Sequence, residues 1–170
     1  RGIVMGVLDG EAPFTEPMDA TITVRKAIAT LPSMDAGESS DINGHVATNH
    51  NDDNVQRMEL VPDGGNMLDI PEEYHVDYLR PSNEGHCYGR LLWDQPSNTI
   101  TTGFYRAGSG IFIHPEDDRT LTPREAARLQ TLPDSYELPS SVTTSREVIG
   151  NAVPVNMAYE IAKEVKGILS

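Results

Sequence analysis

Arg119 to Asp134, RTLTPREAARLQTLPD, and, after a polar spacer, Ile149 to Val155, IGNAVPV, decide how this chain is read. Thr122-Pro-Arg-Glu125 has the form of a helix start. The threonine hydroxyl can accept from a free backbone N–H, proline fits the first helical position, and Glu125 closes a capping box. The helix is expected to begin at Pro123 and to stop at Pro133. Arg124 and Arg128, four apart, share one face, while Ala126, Ala127 and Leu129 offer a small apolar face for close packing. A well-capped surface helix satisfies the same pattern.

The second block leads into a helix expected from about Val153 to Ile168, where Met157, Ile161, Val165 and Ile168 form one apolar stripe. Lys163 and Lys166 lie toward its C-terminal end, where cations complement the helix dipole. Gly150 and Asn151 are expected just before this helix. A glycine and an amide there can approach an anionic ligand through free N–H groups, and equally can form an ordinary turn and cap.

Working outward, Tyr88 to Trp93, Thr99 to Thr102 and Ile111 to His114 read as short strands, with Asp94-Gln-Pro-Ser97 as the first turn. Between the last two lies Gly103 to Gly110, GFYRAGSG, a loop of small residues around Phe104, Tyr105 and Arg106. Its small residues permit close approach to a groove or a phosphate, and it serves equally as a plain hairpin connection. Nearer the N-terminus, Ile3 to Leu8 reads as a buried strand. Thr23 can cap a short helix with Val24, Ala27, Ile28 and Leu31 on one face, ended by Pro32. From Ser33 to Asn54 the composition turns to Gly, Ser, Asn, Asp and His, the mark of a long loop, mobile in isolation.

The chain has 170 residues, 38% of them hydrophobic, which is enough for one core of ordinary size. No apolar run can cross a bilayer and no signal-peptide pattern opens the chain, so a cytoplasmic location is expected. The single cysteine, Cys87, excludes an internal disulfide and a multi-cysteine zinc site. The five histidines have no metal-ligand spacing, the Glu116-Asp117-Asp118 cluster reads as a solvated turn, and no phosphate-binding glycine loop is present. Net charge is −13, an unfavourable balance for a nucleic-acid partner, yet the charge is unevenly spread. Residues 1–79 hold 4 basic and 15 acidic groups, whereas residues 80–128 hold 6 of each. Those six cations are all arginine: Arg80, Arg90, Arg106, Arg119, Arg124 and Arg128. Arginine can grip phosphate or guanine with a two-pronged fork, so this stretch is the one that can face DNA, or else forms a neutral solvated surface.

Together the two blocks resemble the last two motifs of DNA (cytosine-5)-methyltransferases. Tyr88-Gly-Arg-Leu-Leu-Trp-Asp94, Thr99-Ile-Thr-Thr102 and Gly110-Ile-Phe-Ile-His-Pro115 resemble the end of the target-recognition region in bacterial members, and Thr23-Val-Arg-Lys-Ala-Ile28 resembles the helix that opens it. The family's Pro-Cys-Gln nucleophile segment and early glycine-rich cofactor loop do not occur in the chain, and Cys87 stands in His-Cys-Tyr-Gly. The resemblance therefore implies a C-terminal half with no catalytic residue and no metal of its own. In such enzymes a cysteine attacks C6 of a cytosine flipped out of the duplex, and C5 takes the methyl group of S-adenosylmethionine.

The implied fold is α+β. A tail of the catalytic domain (residues 1–20) precedes a small mixed recognition domain with short strands and long loops (21–120). Residues 121–170 return to a largely absent S-adenosylmethionine-dependent catalytic α/β domain. Carried onto this sequence, the resemblance implies DNA contacts at Arg90, Thr101, Thr102, Tyr105, Arg106 and Arg124, and a cofactor-pocket edge at Gly150, Asn151 and Ala152. The implied partners are double-stranded DNA and the N-terminal catalytic half, or a further copy of the chain, covering the apolar stripe, with no membrane. A non-catalytic DNA-binding or regulatory module, and an interaction scaffold, are the alternatives.

Overall fold

The structure, a computed structural model, describes residues 22–77 and 86–169. The expected strand Ile3–Leu8, the proposed domain tail and Arg80 lie outside them. Five helices are described: α1 (Val24–Ile28), α2 (Asp52–Leu60), α3 (Pro123–Leu129), α4 (Val142–Asn151) and α5 (Val155–Leu169). Two short strands, β1 (Gly89–Arg90) and β2 (Ile111–Ile113), pair in parallel. No helix among the described residues is long and apolar enough to cross a membrane.

Helix α3 lies at the centre, packed between α1 and α4. Its capping box forms as read: the Glu125 N–H donates to Thr122 Oγ1 at 3.2 Å and the Thr122 N–H donates to Glu125 Oε2 at 2.7 Å. The surface-helix alternative is corrected, because Pro123 through Ala127 are all buried. Val24, Ile28, Leu91, Phe104, Phe112, Leu121, Ala126, Ala127 and Ile149 share one core with it. That core runs continuously across residue 120, joining α1 to α3 and α4. A second cluster, built from Met58, Val61, Met67, Ile70, Tyr88 and Ile113, seats α2 against the strands.

Several expectations change. Residues 33–51 are pinned rather than loose: His45 is fully buried, with Nδ1 3.0 Å from Thr122 Oγ1 and Nε2 3.0 Å from the Pro32 carbonyl. The stretch after them is α2, capped by the Asn51 side chain and carrying Asp52 and Asp53 in its first turn. Thr99–Thr102 forms no strand. Its backbone faces Gly150 of α4, where an added Cβ would come within 2.4 Å of Thr102 N. β1 and β2 pair directly and in parallel, with residues 91–110 looping out between them. The spacer before IGNAVPV is helix α4, capped by Ser141, so Gly150 and Asn151 close a helix instead of preceding one. The last helix then starts at Val155.

Charge is managed inside as well as outside. Arg119, fully buried, grips Glu125 through Nη1 (2.9 Å) and Nη2 (2.8 Å), and its Nη2 also reaches Asp117 at 2.7 Å. Burial raises the Glu125 carboxyl, but the bonds and charge of Arg119 with the nearby His114 outweigh it, leaving the pKa below its ordinary value. His114 is pushed down, chiefly by burial. Its Nδ1 accepts from the backbone N–H groups of Glu116 (3.3 Å) and Asp117 (3.0 Å), which requires that nitrogen to be unprotonated.

Removing one partner of a buried pair leaves an uncompensated charge, so Glu125→Ala is expected to cost about 3–5 kcal/mol in urea denaturation. The pH dependence follows from the same groups. A histidine whose folded pKa is depressed binds its proton first in the unfolded chain, so stability falls as pH drops below about 6.5. The depressed Glu125 and Asp117 carboxyls add a further loss as pH falls through the carboxylate range. The melting temperature should thus decline steadily from neutral to acid pH, and less steeply between pH ~7 and ~5 in His114→Asn.

Candidate nucleic-acid interface

The loop Gly103–Gly110 is anchored at both ends of its central turn. Phe104 is fully buried in the core and Ala107 nearly so, while Arg106 between them is exposed. Burying an aromatic of this size contributes about 1.5–3 kcal/mol, enough to hold a loop with few other apolar contacts. The Phe104 and Tyr105 rings meet edge to face with centroids 6.4 Å apart. Arg106 Nε donates to the Tyr105 hydroxyl at 2.9 Å, and its guanidinium carbon lies 5.0 Å from the ring centroid. A second guanidinium, that of Arg146 on α4, sits 4.0 Å from the same centroid. Behind the ring, Thr120 Oγ1 donates to the Tyr105 carbonyl at 3.1 Å. With that hydrogen spent, His50 Nε2, 3.0 Å from Thr120 Oγ1, must be the donor of its pair.

Below the loop opens a cleft of about 660 Å³. One wall is the loop from Tyr105 to Ser109; the others are Thr48 and His50, the α2 residues Asn54 and Arg57, His75 to Asp77, and Tyr88. Tyr88 holds a left-handed backbone (φ 52°), with its N–H donating to the Ala107 carbonyl at 2.8 Å and its hydroxyl to Asn54 Oδ1 at 2.5 Å. Those bonds offset the roughly 1–3 kcal/mol that such a conformation costs a bulky residue.

Of the residues singled out from sequence, Thr101, Thr102 and Arg106 are exposed and Tyr105 half-buried on this side of the molecule. Thr101 Oγ1 accepts from the Gly103 N–H at 3.3 Å. Arg90 and Arg124 stand elsewhere, inside the fold. Arg90 donates to the carbonyls of Val61, Met58 and His114 and pairs with Asp118 at 2.7 Å. Arg124 donates to Asn43 O and Oδ1 and to the Tyr136 carbonyl. Both are buried and brace loops against the core, unlike the exposed Arg106. No group of metal-binding side chains occurs among the described residues.

Gly150 and its neighbours serve two surfaces. Gly150 packs directly on the Thr101–Thr102 backbone, so the space beside its Cα is filled by protein. Asn151 is exposed at the end of α4, its Nδ2 donating to the Glu147 carbonyl at 2.9 Å, and Ala152 is half-buried. Buried Gln130, at the end of α3, fixes this corner: its Nε2 donates to the Ile149 carbonyl and its own carbonyl accepts from the Val155 N–H at 3.1 Å. A separate hollow of about 230 Å³ lies beside it, lined by Ser97 to Ile100, Leu129, Gln130, Pro154 and Met157. Beyond the corner, Val153, Val155 and Tyr159 are exposed at 44%, 43% and 63%.

Sequence reasoning missed Arg57, Arg146 and His50. The signal for the first was an Asn51-Asp-Asp-Asn run with Val55 and Met58 three apart; for the second it was Ser141 capping a helix in which Ser145 and Ile149 lie four apart.

A buried helix closed by a capping box thus lies beside an arginine-bearing loop and an open cleft. Comparison with known proteins gives the class of the chain. The sequence profile described as C-5 cytosine-specific DNA methylase matches residues 11–167. The chain is 40% identical over 166 residues to the Type II methylase M.HgiDII of Herpetosiphon aurantiacus, covering 92% of this chain and 47% of that protein. It is 37% identical to the Type II methyltransferase M1.HphI of Haemophilus parahaemolyticus, covering 97% and 42%. With the DNA (cytosine-5)-methyltransferase 3 of Arabidopsis thaliana the identity is 30%, over 93% of this chain and 13% of that one. The chain belongs to the C-5 cytosine-specific DNA methylase family, and it spans less than half the length of these relatives.

Gly150→Ala tests the corner. Alanine gains about 1 kcal/mol of helix propensity, but its methyl meets backbone atoms that cannot rotate away, an overpacking worth about 1–3 kcal/mol. A net loss of stability is expected in thermal melts, and a gain would mean that Thr101–Thr102 yields freely.

Proposed function

We propose that this chain is the target-recognition and closing part of a DNA (cytosine-5)-methyltransferase acting on cytosine in double-stranded DNA. The observation that carries the reading is the packing of Gly150 on the Thr101–Thr102 backbone, which makes one unit of the two motif blocks that the family resemblance assigns to cofactor pocket and DNA. Pro-Cys-Gln does not occur in the 170 residues, so on this reading the nucleophile lies on another stretch of protein.

Thr101 and Thr102 hold the backbone beside the extruded nucleotide, and Arg106, steadied by Tyr105, reaches the groove. Arg106 is suited to this because only its Nε is engaged, leaving the Nη1/Nη2 end free to form a two-pronged contact. S-adenosylmethionine supplies the methyl group when bound. Asn151 and Ala152 form one edge of its pocket; a single amide with one Nδ2 hydrogen already engaged is too small a donor set to hold the whole cofactor. Gly150 acts by packing. The exposed Val153, Val155 and Tyr159 meet the catalytic half, because leaving such a stripe in water forfeits about 25 cal/mol per Å² of apolar area.

The chain alone is expected to transfer no methyl group from labelled cofactor to DNA, and to do so when mixed with a polypeptide carrying the Pro-Cys-Gln half. In that mixture Thr101→Ala should reduce kcat/KM by about 10- to 100-fold, the worth of one charge-assisted hydrogen bond. Methyl transfer by the chain on its own, or a silent mixture of two folded halves, would refute the division of labour.

A further inference from the structure

The described arginines fall into two groups. Arg25, Arg90, Arg119, Arg124 and Arg128 each have a carboxylate within 4.0 Å, supplied by Asp94, Asp118, Asp117 with Glu125, and Asp134. Arg57, Arg106 and Arg146 have no such partner among the described residues, and the groups they contact there are uncharged. Arg57 donates through Nε to the Tyr74 carbonyl at 2.8 Å and through Nη1 to Asn54 Oδ1 at 3.3 Å. Arg146 donates through Nη2 to Thr48 Oγ1 at 2.8 Å, while its buried Nε has no hydrogen-bond partner. Two of these line one hollow, and the third is held against its wall. Arg57 and Arg106 line the 660 Å³ cleft, and Arg146 is tied to two further lining residues, Thr48 and Tyr105. The described lining contains one carboxylate, Asp77, which pairs with none of them.

In a protein of net charge −13, gathering the uncompensated guanidinium groups around one hollow is repulsive unless an anion enters. We infer that the cleft is a binding site for a phosphodiester of the DNA backbone, held by Arg57 and Arg146. The choice of phosphate over a base edge follows from which nitrogens are spent. Guanine requires two adjacent N–H donors from one fork. Arg57 has Nε and one Nη1 hydrogen engaged, and Arg146 has one Nη2 hydrogen engaged and Nε buried, so neither presents a wholly unengaged fork, whereas a phosphate accepts the remaining N–H groups from any direction. The inference rests on the DNA-recognition reading above and adds two contacts from α2 and α4 that the recognition loop does not contain.

The test is fluorescence anisotropy of the 170-residue chain with a short labelled duplex over a range of KCl concentrations. Arg57→Gln and Arg146→Gln should each reduce the slope of log K against log[KCl] by about 0.9, equally for unrelated duplex sequences. Arg57→Lys and Arg146→Lys keep the charge and should restore the slope, which a purely structural role would not do. An unchanged slope in the folded double glutamine variant overturns the site. If the wild-type chain binds no duplex, the recognition reading fails by itself, and the cleft is judged by titrating inorganic phosphate while following the arginine Nε–Hε resonances. Shifts at Arg57 and Arg146 that matched chloride does not produce uphold an anion site; their absence overturns it.

Discussion

A buried helix N-terminus must find every one of its hydrogen-bond partners inside the protein, and at α3 that requirement organises the rest of the chain. Pro123 has no N–H to satisfy. The Arg124 N–H goes to the Gly44 carbonyl at 2.9 Å, that of Glu125 to the Thr122 hydroxyl, and that of Ala126 to the Thr122 carbonyl. The Glu125 carboxylate returns to the Thr122 N–H and, at the same time, neutralises Arg119. Each partner drags a distant segment into place: Gly44 and His45 bring the long loop, Arg119 brings the turn after β2, and Arg124 brings Asn43 together with Tyr136. At the other end Gln130 ties α4 to α5. A helix of seven residues thus sets the position of segments nearly the whole length of the described chain apart.

What could be read from sequence follows from how local the cause was. The capping box at Thr122 and Glu125 and the cap at Thr23 depend on neighbours within a few residues, and these are where expectation and structure agree; the helix itself ends at Leu129, before the expected stop at Pro133. Strand pairing depends on residues far apart, and there the reading failed: Thr99–Thr102 has the composition of a strand, but Gly150 takes the place a partner strand needed. Helices α2 and α4 were hidden by polar composition. Their sides toward the core are narrow, with Met58 the one buried residue of α2 and Ser145, Ile149 and Gly150 those of α4. Arginine-rich composition drew attention to Arg90 and Arg124 because sequence shows a charge and not its surroundings. Only coordinates separate a guanidinium held inside among carbonyls from one left beside a cleft.

Net charge misleads for the same reason. The acidic excess lies mostly before residue 80, and the described carboxylates near arginine are spent on fixing the fold rather than on screening the cleft. A negative protein can then still present a positive hollow, since screening in water confines each exposed charge to about 8–10 Å. The local field at Arg57, Arg106 and Arg146 is set by which neighbours are absent there more than by the total.

Helix α4 connects the two surfaces through two contacts one turn apart. Arg146 lies on the Tyr105 ring of the Gly103–Gly110 loop and Gly150 lies on the Thr101–Thr102 backbone that leads into it, while Asn151, the next residue, ends the helix in the open. Residues four apart on a helix share a face, so both contacts hold the same side of α4 and leave its end free. A rigid helix gripped in this way cannot shift at Tyr105 without shifting at Asn151. The Gly103–Gly110 loop and the Asn151 corner are therefore coupled through closely packed backbone, with no space for a side chain at position 150.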